Sequence, residues 1–298
     1  MTAPDILCIG SVLWDIIGRT EVSLRARGDV AGRITRVPGG VALNIAMTLA
    51  RFGLHPAVLT AIGADPEGDD LVRACEGLGV STAHALRTPD LPTDRYMAIE
   101  DATGLVAAIA DAHSLEAAGA AILAPLSDGR LGTVTAPWRG PVALDGNLTA
   151  DLLAQIAASP LFAGADLRIA PASPGKAERL IPIMRHPGAT LYVNRQEAGL
   201  ISGTACDSAE AAAEALVAAG AARALVTDGS RPAADATRGQ SVLTCAARAV
   251  HPRRITGAGD TFMAAHLFAE TRGSGRIEAL ERAQAAAAAY VAYEDIAP

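Results

Sequence analysis

The chain has 298 residues, of which 50% are hydrophobic and only 3% are aromatic, and its formal net charge at pH 7 is −7. This hydrophobic share supplies a substantial core for one large domain or two smaller ones. The acidic charge, the few aromatic residues and the lack of a basic block exclude electrostatic capture of a nucleic-acid backbone, so small metabolites are the expected partners.

The cysteines and the apolar runs exclude further classes of protein. Cys8, Cys75, Cys206 and Cys245 form no C-x-x-C pair and have no neighbouring histidine, which argues against a zinc site or a disulfide framework. Apolar runs such as residues 117–127 are too short to span a bilayer, and the N-terminus has no signal-peptide pattern. We therefore expect a cytoplasmic protein without a membrane anchor.

Short buried strands alternate with helices along most of the chain. Strands are predicted at residues 5–10, 57–62, 141–144, 167–170, 190–193 and 222–227. Helices are predicted at residues 42–52, 69–78, 150–157, 208–219, 261–269 and 283–293. The alternation predicts an α/β fold with a mostly parallel sheet covered on both faces, and ligands are then expected at the carboxyl ends of the strands.

Two segments break this alternation. Residues 17–36 and 95–110 show period-two or short extended patterns, the second with a turn at residues 101–104. We interpret them as a small antiparallel β-sheet lid. An apolar face left bare on such a sheet would need a substrate or a second copy of the chain beneath it.

The run Thr256-Gly257-Ala258-Gly259-Asp260 combines a small-residue turn, a helix start and a carboxylate. Glycines let backbone N–H groups close on an anion, and the positive end of the following helix adds to the attraction. Asp260 could then accept the proton of a hydroxyl that attacks a γ-phosphate. The alternative is an ordinary glycine-rich turn with an N-capping aspartate.

Three other patterns allow both a functional and a structural interpretation. Gly39 and Gly40 precede a helix beside Asn44, where either a sugar hydroxyl or an ordinary loop-to-helix junction fits. Asp15 follows the first strand and could bind vicinal hydroxyls or be a plain surface aspartate. Asn194 and Glu197 open a helix after a strand, where their oxygens could hold Mg²⁺ or form a capping box.

In their order and spacing, these motifs resemble the PfkB, or ribokinase-like, family of sugar and nucleoside kinases. The resemblance covers nearly the whole chain. It is carried by Gly39-Gly40 with Asn44, GADPEG at residues 63–68, Asn194 with Glu197, VTDG at residues 226–229, and residues 256–260.

The resemblance implies a single domain over residues 1–298, with a three-layer α/β/α core, a mostly parallel sheet and lid segments at about residues 11–38 and 93–112. It also implies an enzyme that uses ATP and Mg²⁺ to phosphorylate a hydroxymethyl group, as a homodimer joined through the lid.

The resemblance assigns roles to individual residues. Asp260 would be the catalytic base, and an anion hole would be formed by Gly257, Ala258 and Gly259. Nucleotide contacts would come from Asn194, Thr227, Gly229, Gly257 and Gly259. Asn194 and Glu197 would organise magnesium. Substrate hydroxyls would be held by Asp15, Gly39, Gly40 and Asn44.

Within the family the chain is most similar to the pseudouridine kinases, through residues 32–41, 108–111, 144–147 and 194–198 together with Thr93. This similarity implies phosphorylation of the nucleoside 5′-hydroxymethyl group, with Thr93 and Asp111 contacting the base and Asp145 and Asn147 near the substrate. Asp111 could accept the extra ring N–H of a C-linked uracil, because an unpaired N–H would cost about 1–3 kcal/mol.

The chain also departs from the family pattern. Arg254 stands six positions before Asp260, where cation-activated ribokinases carry an acidic residue, which argues against potassium activation of that kind. Residues 229–235 lack the second glycine of the usual nucleotide loop, and Ala170 replaces a frequent acidic residue. The alternatives left open are another PfkB activity, on ribose, adenosine or a ketose phosphate, and a non-catalytic nucleoside-binding module.

Overall fold

The computed structural model describes residues 3–24 and 29–296. Residues 25–28 of the predicted lid and the extreme ends of the predicted domain lie outside the described residues. The strands are β1 (Ile6–Ile9), β2 (Leu13–Arg19), β3 (Arg33–Gly39), β4 (Pro56–Leu59), β5 (Ala61–Gly63), β6 (Leu86–Thr88), β7 (Arg95–Asp101), β8 (Gly104–Asp111), β9 (Val142–Asp145), β10 (Leu167–Ala170), β11 (Ala189–Asn194), β12 (Arg223–Asp228), β13 (Arg231–Thr237) and β14 (Leu243–Cys245).

The α-helices are α1 (Val41–Arg51), α2 (Pro66–Gly77), α3 (His113–Ala118), α4 (Ala150–Ala158), α5 (Arg195–Ser202), α6 (Ala209–Ala218), α7 (Ala258–Thr271) and α8 (Arg276–Ala292), and short 3₁₀ helices occupy Gly119–Leu126 and Pro174–Leu180. None of the helices within the described residues has the length and apolar composition that a bilayer span requires.

An eight-stranded sheet in the order β14-β13-β12-β11-β10-β9-β1-β4 forms the core. Its strands from β12 to β4 pair in parallel, and β13 and β14 add an antiparallel edge. Successive side chains of β1 enter different hydrophobic clusters, because a strand projects alternate residues to opposite faces. Leu7 and Ile9 pack with α4, α5 and α6, whereas Ile6 and Cys8 pack with α1, α7 and α8. The predicted α/β/α layering is confirmed.

The second sheet, in the order β3-β2-β7-β8, forms the lid. Two antiparallel hairpins, β2–β3 and β7–β8, are joined by parallel pairing of β2 with β7. The prediction of an entirely antiparallel lid is therefore wrong at this central pair. Both hairpins leave the core along their first strand and return along their second, so their first strands run in the same direction when they pair.

Several element boundaries differ from the prediction, and the helix predicted at residues 283–293 begins at Arg276. Helix α2 begins at Pro66 because Asp65 caps it, accepting the Gly68 N–H at 2.7 Å. Helix α7 begins at Ala258, which places Asp260 in its first turn. The strand predicted at residues 57–62 is divided at Thr60 between β4 and β5. Strands β13 and β14 were not predicted.

The carboxyl-terminal half of α7 is held by a buried network of charges. The Glu270 carboxylate accepts hydrogen bonds from Arg168 on β10 and from Arg223 on β12, the latter at 2.6 Å. Arg223 also binds the fully buried Asp235 in a bidentate pair at 3.0 and 2.7 Å. Buried His266 bonds the Tyr192 hydroxyl at 2.8 Å, and burial lowers its pKa to about 3. The network ties α7 to the centre of the sheet.

Substitution of Arg223 by Met should destabilise the fold by about 3–5 kcal/mol, because Asp235 and Glu270 would each lose a buried partner. Urea unfolding followed by circular dichroism measures this loss. The matched control is Arg282→Met, which breaks an exposed ion pair with Glu278 on α8. That change should cost less than about 1 kcal/mol. Equal effects of the two substitutions would show that the buried network does not stabilise the fold.

Candidate active site

Parallel strands end at the same edge of a sheet. One edge of the core sheet is therefore formed by the carboxyl ends of β1, β9, β10, β11 and β12. Asp145 is the register partner of Ala170, and Asn194 is that of Thr227. The amino end of α1 reaches the same edge through hydrogen bonds described below, and that of α7 reaches it through Asn44. Sheet order reverses between β1 and β9, which is where open α/β sheets place their ligand crevice.

Asp145 is the most heavily hydrogen-bonded carboxylate at this edge. It is fully buried, and one oxygen accepts the Ser11 N–H at 2.7 Å, the Ser11 hydroxyl at 2.7 Å and the Ala42 N–H at 3.1 Å. Its other oxygen accepts the Asn147 N–H. Because protein donors occupy both oxygens, Asp145 joins β1, α1 and β9, whereas the sequence predicted a place near the substrate.

A polar chain continues from this carboxylate. The Asn147 amide donates to the Ser11 hydroxyl at 2.8 Å, and its oxygen accepts a hydrogen bond from the Lys176 ammonium at 2.7 Å. Burial lowers the pKa of Lys176. The sequence prediction missed Ser11, for which the only signal was its place directly after the first strand. Asn147 lies at the predicted edge, but its side chain is engaged with the protein.

Asp260 lies in the first turn of α7, half-buried, and accepts a hydrogen bond from the Asn44 amide of α1 at 2.8 Å. Desolvation raises the pKa of Asp260 to about 7, against a partial opposing effect of the Asn44 hydrogen bond. The nearby charges of Asp145, Glu197 and Asp15 contribute to the same rise. Three carboxylates therefore act on Asp260, which is able to take up a proton near neutral pH.

The turn before Asp260 leaves several backbone N–H groups available. Gly257 caps α7 with φ 88°, a conformation that favours glycine. The Ala258 N–H donates to the Ile255 carbonyl oxygen at 3.0 Å, so this amide is already used. Among the described residues, no acceptor is found for the N–H groups of Gly257, Gly259 and Asp260. Within the described chain, the amides of Gly257, Gly259 and Asp260 are therefore free and that of Ala258 is not, and the anion hole itself stays a prediction.

Asp15 lies on β2, where the lid meets the core. Its carboxylate has no hydrogen-bond donor within the part of the chain that is described, and desolvation raises its pKa to about 6. A Cβ on Gly39 would come within 2.0 Å of this carboxylate, and one on Gly40 would come within 2.5 Å of the Ser11 carbonyl oxygen. Gly39 therefore lets the backbone approach an acidic group that is free to bind hydroxyls, and Gly40 lets it approach the segment after β1.

Asn194 and Glu197 form the capping box at the start of α5. The Asn194 side chain accepts the Glu197 N–H at 2.9 Å, and the Glu197 carboxylate accepts the Asn194 N–H at 2.8 Å. Burial raises the pKa of Glu197, and its second oxygen remains available. Mg²⁺ keeps several water ligands and is held by one or two carboxylates together with phosphates. An available carboxylate oxygen whose charge also acts on Asp260 fits that requirement.

The remaining predicted residues lie either at the sheet edge or in and near the lid. Thr227 is the penultimate residue of β12, beside Asn194, and Gly229 follows the strand with φ 61° and open space where a Cβ would lie. Thr93 is buried, and its hydroxyl donates to Asp65 at 2.6 Å, so it braces the cap of α2. Asp111 is exposed at the end of β8 and pairs with His113 at 2.8 Å. No direct contact joins Thr93 or Asp111 to Asp260 or Asn44 among the hydrogen bonds of the described chain.

Solved structures with the same fold include kinases from three organisms. The ribokinase of Arabidopsis thaliana complexed with ribose and ATP superposes with a TM-score of 0.79 at 23% identity, covering 97% of this chain and 93% of that one. A carbohydrate kinase from Agrobacterium tumefaciens gives 0.76 at 25% identity, covering 96% and 90%. The ribokinase of Thermotoga maritima gives 0.77 at 22% identity, covering 99% and 95%.

Sequence comparison adds two relatives from Escherichia coli K12. A pseudouridine kinase is 34% identical over 120 residues, which are 40% of this chain and 38% of that protein. The uncharacterized sugar kinase YeiI is 33% identical over 111 residues, which are 36% of this chain and 30% of that protein. Each alignment thus spans well under half of the relative's length.

The family comparison covers almost the whole chain. Residues 3–297 match the family described as pfkB family carbohydrate kinase. This match includes the glycine turn, the lid strands and the sheet edge described above. The chain is therefore a phosphotransferase that belongs to the pfkB family of carbohydrate kinases.

Proposed function

We propose that the chain transfers the γ-phosphoryl group of ATP, with Mg²⁺, to the 5′-hydroxymethyl group of a nucleoside, and that pseudouridine is this nucleoside. The observation that carries the proposed chemistry is Asp260, whose raised pKa and position in the first turn of α7 place a proton acceptor beside free backbone amides. The choice of pseudouridine is supported by the partial similarity to the Escherichia coli pseudouridine kinase.

In this proposal Asp260 accepts the proton of the attacking hydroxyl, and Asn44 orients its carboxylate through the 2.8 Å hydrogen bond. The free N–H groups of Gly257 and Gly259 stabilise the charge that grows on the transferring phosphoryl oxygens. When bound beside Glu197, Mg²⁺ would supply neutralising positive charge for the phosphates. Asn194, Thr227 and Gly229 would line the nucleotide site at the neighbouring strand ends.

The nucleoside would be held between the core edge and the lid. Asp15 has an unpaired carboxylate suited to ribose hydroxyls, and Gly39 brings the backbone close to it. Gly40, packed against Ser11, and Asn44, bonded to Asp260, would complete the hydroxyl-binding side of the site.

The register places Asp111 on the lid face opposite Asp15, at the end of edge strand β8. In this proposal Asp111 accepts the extra ring N–H of pseudouridine from a base that extends past this edge. Thr93 would support the base indirectly, since its hydroxyl is bonded to Asp65.

ADP release measured with Mg²⁺–ATP across pseudouridine, uridine, adenosine, ribose and fructose 6-phosphate tests this function. We expect turnover on pseudouridine and a fall of at least about 100-fold in kcat for Asp260→Asn, because the proton acceptor is lost while the hydrogen bond with Asn44 is kept. Turnover on another acceptor alone would keep the kinase chemistry and refute the substrate. Nucleotide-dependent thermal stabilisation without any turnover would instead indicate a binding module.

Asp111→Ala, assayed for ADP release with the same acceptors, tests recognition of the base. It should reduce the preference for pseudouridine over uridine by about 10-fold, because one hydrogen bond to the base would be lost. An unchanged preference would remove Asp111 from the proposed base contacts.

The pH dependence of kcat/KM should follow the ionisation of Asp260 in the free enzyme. Only the deprotonated carboxylate accepts a proton, so kcat/KM should rise with pH and level off above pH of about 7. Asp15→Asn should move this limb to lower pH, since the negative charge of Asp15 contributes to the raised pKa of Asp260. A limb that stays in place in Asp15→Asn would contradict the coupling of these two carboxylates.

We further propose that the chain forms a homodimer through its lid. Strand register places Met97, Ile99, Ile109 and Ile34 on the face opposite Asp15, and each is at least 42% exposed. Asp15, together with its register partners Tyr96 and Val37, lies on the other face. An exposed apolar sheet face of this kind can be buried against the same face of a second copy of the chain.

Size-exclusion chromatography with light scattering at micromolar concentration should show a dimer, and Ile109→Asp should convert it to a monomer, because a charge would be buried in the apolar interface. The control is Val134→Asp, which changes an exposed residue outside the lid and should remain dimeric. A wild-type chain that elutes only as a monomer would refute the lid interface.

A further inference from the structure

Arg254 lies over two tyrosine rings directly before the glycine turn. Its Cζ atom is 3.5 Å from the centroid of the Tyr290 ring and 4.4 Å from that of Tyr293. Its Nε donates to the Tyr290 carbonyl oxygen at 2.9 Å. The backbone N–H groups of Arg253 and Arg254 both donate to the Val291 carbonyl oxygen, at 2.7 and 3.3 Å. The segment that leads into the turn is therefore joined to the end of α8.

Tyr290 also contacts the glycine turn directly. Its hydroxyl donates to the Thr256 carbonyl oxygen at 2.9 Å. A Cβ on Gly257 would lie only 2.4 Å from that hydroxyl oxygen, so the glycine packs directly against it. The hydroxyl thus sets the position of the peptide group that joins Thr256 to Gly257, and the N–H of that peptide belongs to the proposed anion hole.

The backbone conformation of Tyr293 is a second, independent indication that the surrounding structure fixes this arrangement. Its φ is 61°, and it is the only non-glycine residue with positive φ in residues 3–24 and 29–296. An aromatic residue adopts this conformation only where its surroundings hold it there. Here the conformation ends α8 and brings the ring against Arg254. Strained backbone of this kind clusters near functional sites.

We propose that Arg254 is a positioning residue for phosphoryl transfer. It holds Tyr290 against the Thr256–Gly257 peptide, and Tyr290 in turn aims the free N–H groups at the start of α7 toward the transferring phosphoryl group. This inference rests on the proposed kinase function. The planar guanidinium suits the task because it stacks on a ring and donates to a carbonyl oxygen at once, which an ammonium group does poorly.

The first test is steady-state kinetics of Arg254→Met and Arg254→Lys. We expect kcat of Arg254→Met to fall between about 10-fold and 100-fold, because small displacements of an anion hole are costly. The KM for the nucleoside should change by less than about 3-fold, since that side of the site is held through Asp145. Arg254→Lys should recover part of kcat, and Tyr290→Phe should lower kcat without losing the ring.

The matched control is Arg272→Met. Arg272 lies 5.1 Å over the Phe268 ring at the opposite end of α7, so its loss removes a similar arginine–aromatic contact far from the turn. Its kcat should stay within about 2-fold of wild type. An equal fall in kcat for Arg272→Met and Arg254→Met would overturn the positioning role, as would an unchanged kcat in Arg254→Met.

Hydrogen exchange of the peptide spanning residues 255–261, followed by mass spectrometry, tests the same inference without any substrate. Exchange there should be faster in Arg254→Met than in wild type, while the core strands β1 and β9 should keep their protection. Unchanged exchange in this peptide, or faster exchange throughout the core, would overturn the proposal. If wild type phosphorylates no acceptor, the kinase proposal fails, whereas the exchange comparison still decides whether Arg254 holds the turn.

Discussion

The buried carboxylate of Asp145 is the constraint on which the site depends. A carboxylate without water is unfavourable unless donors surround it, and here they come from the segment after β1, the first turn of α1 and the loop after β9. Moving any one of these segments would leave the charge unsatisfied, so the three are held together. Gly10 makes the arrangement possible, because a Cβ at this position would come within 2.4 Å of the carboxylate.

The acidic residues at the two ends of helix α7 differ in how they are paired. Near its carboxyl end, Glu270 is matched by two arginines, and burial there is fully compensated. At its amino end, Asp260 has one amide donor, and its pKa is raised first by desolvation and then by three neighbouring carboxylates. A site that needs a poised base tolerates this imbalance when the rest of the helix is firmly anchored.

The sequence predicted the features that depend on local pattern. Buried strands appear in the sequence as runs of apolar residues, and the glycine turn with Asp260 consists of five consecutive residues. Pairing between distant segments was harder to predict. The parallel contact of β2 with β7 depends on how two hairpins leave the core. Strand β13 consists largely of small residues, and β14 is an edge strand of only three residues.

The roles of polar side chains were the least predictable part of the site. Asp145 ends a buried strand and Asp15 follows one after a short loop, yet the Asp15 carboxylate is free of protein donors and that of Asp145 is saturated by them. The difference lies in Ser11, which is 134 residues from Asp145 in the chain. Likewise, the hydroxyl of Thr93 bonds Asp65, 28 residues earlier, a partner that local spacing does not reveal.

Because the two faces of the lid sheet differ, the number of residues in strand β2 cannot change freely. Asp15 and the apolar set that includes Met97 are separated only by the alternation of side chains along paired strands. One residue inserted between Leu13 and Asp15 would turn the carboxylate outward and bring hydrophobic groups over the crevice. Insertions or deletions in this strand are therefore compatible with the site only in steps of two.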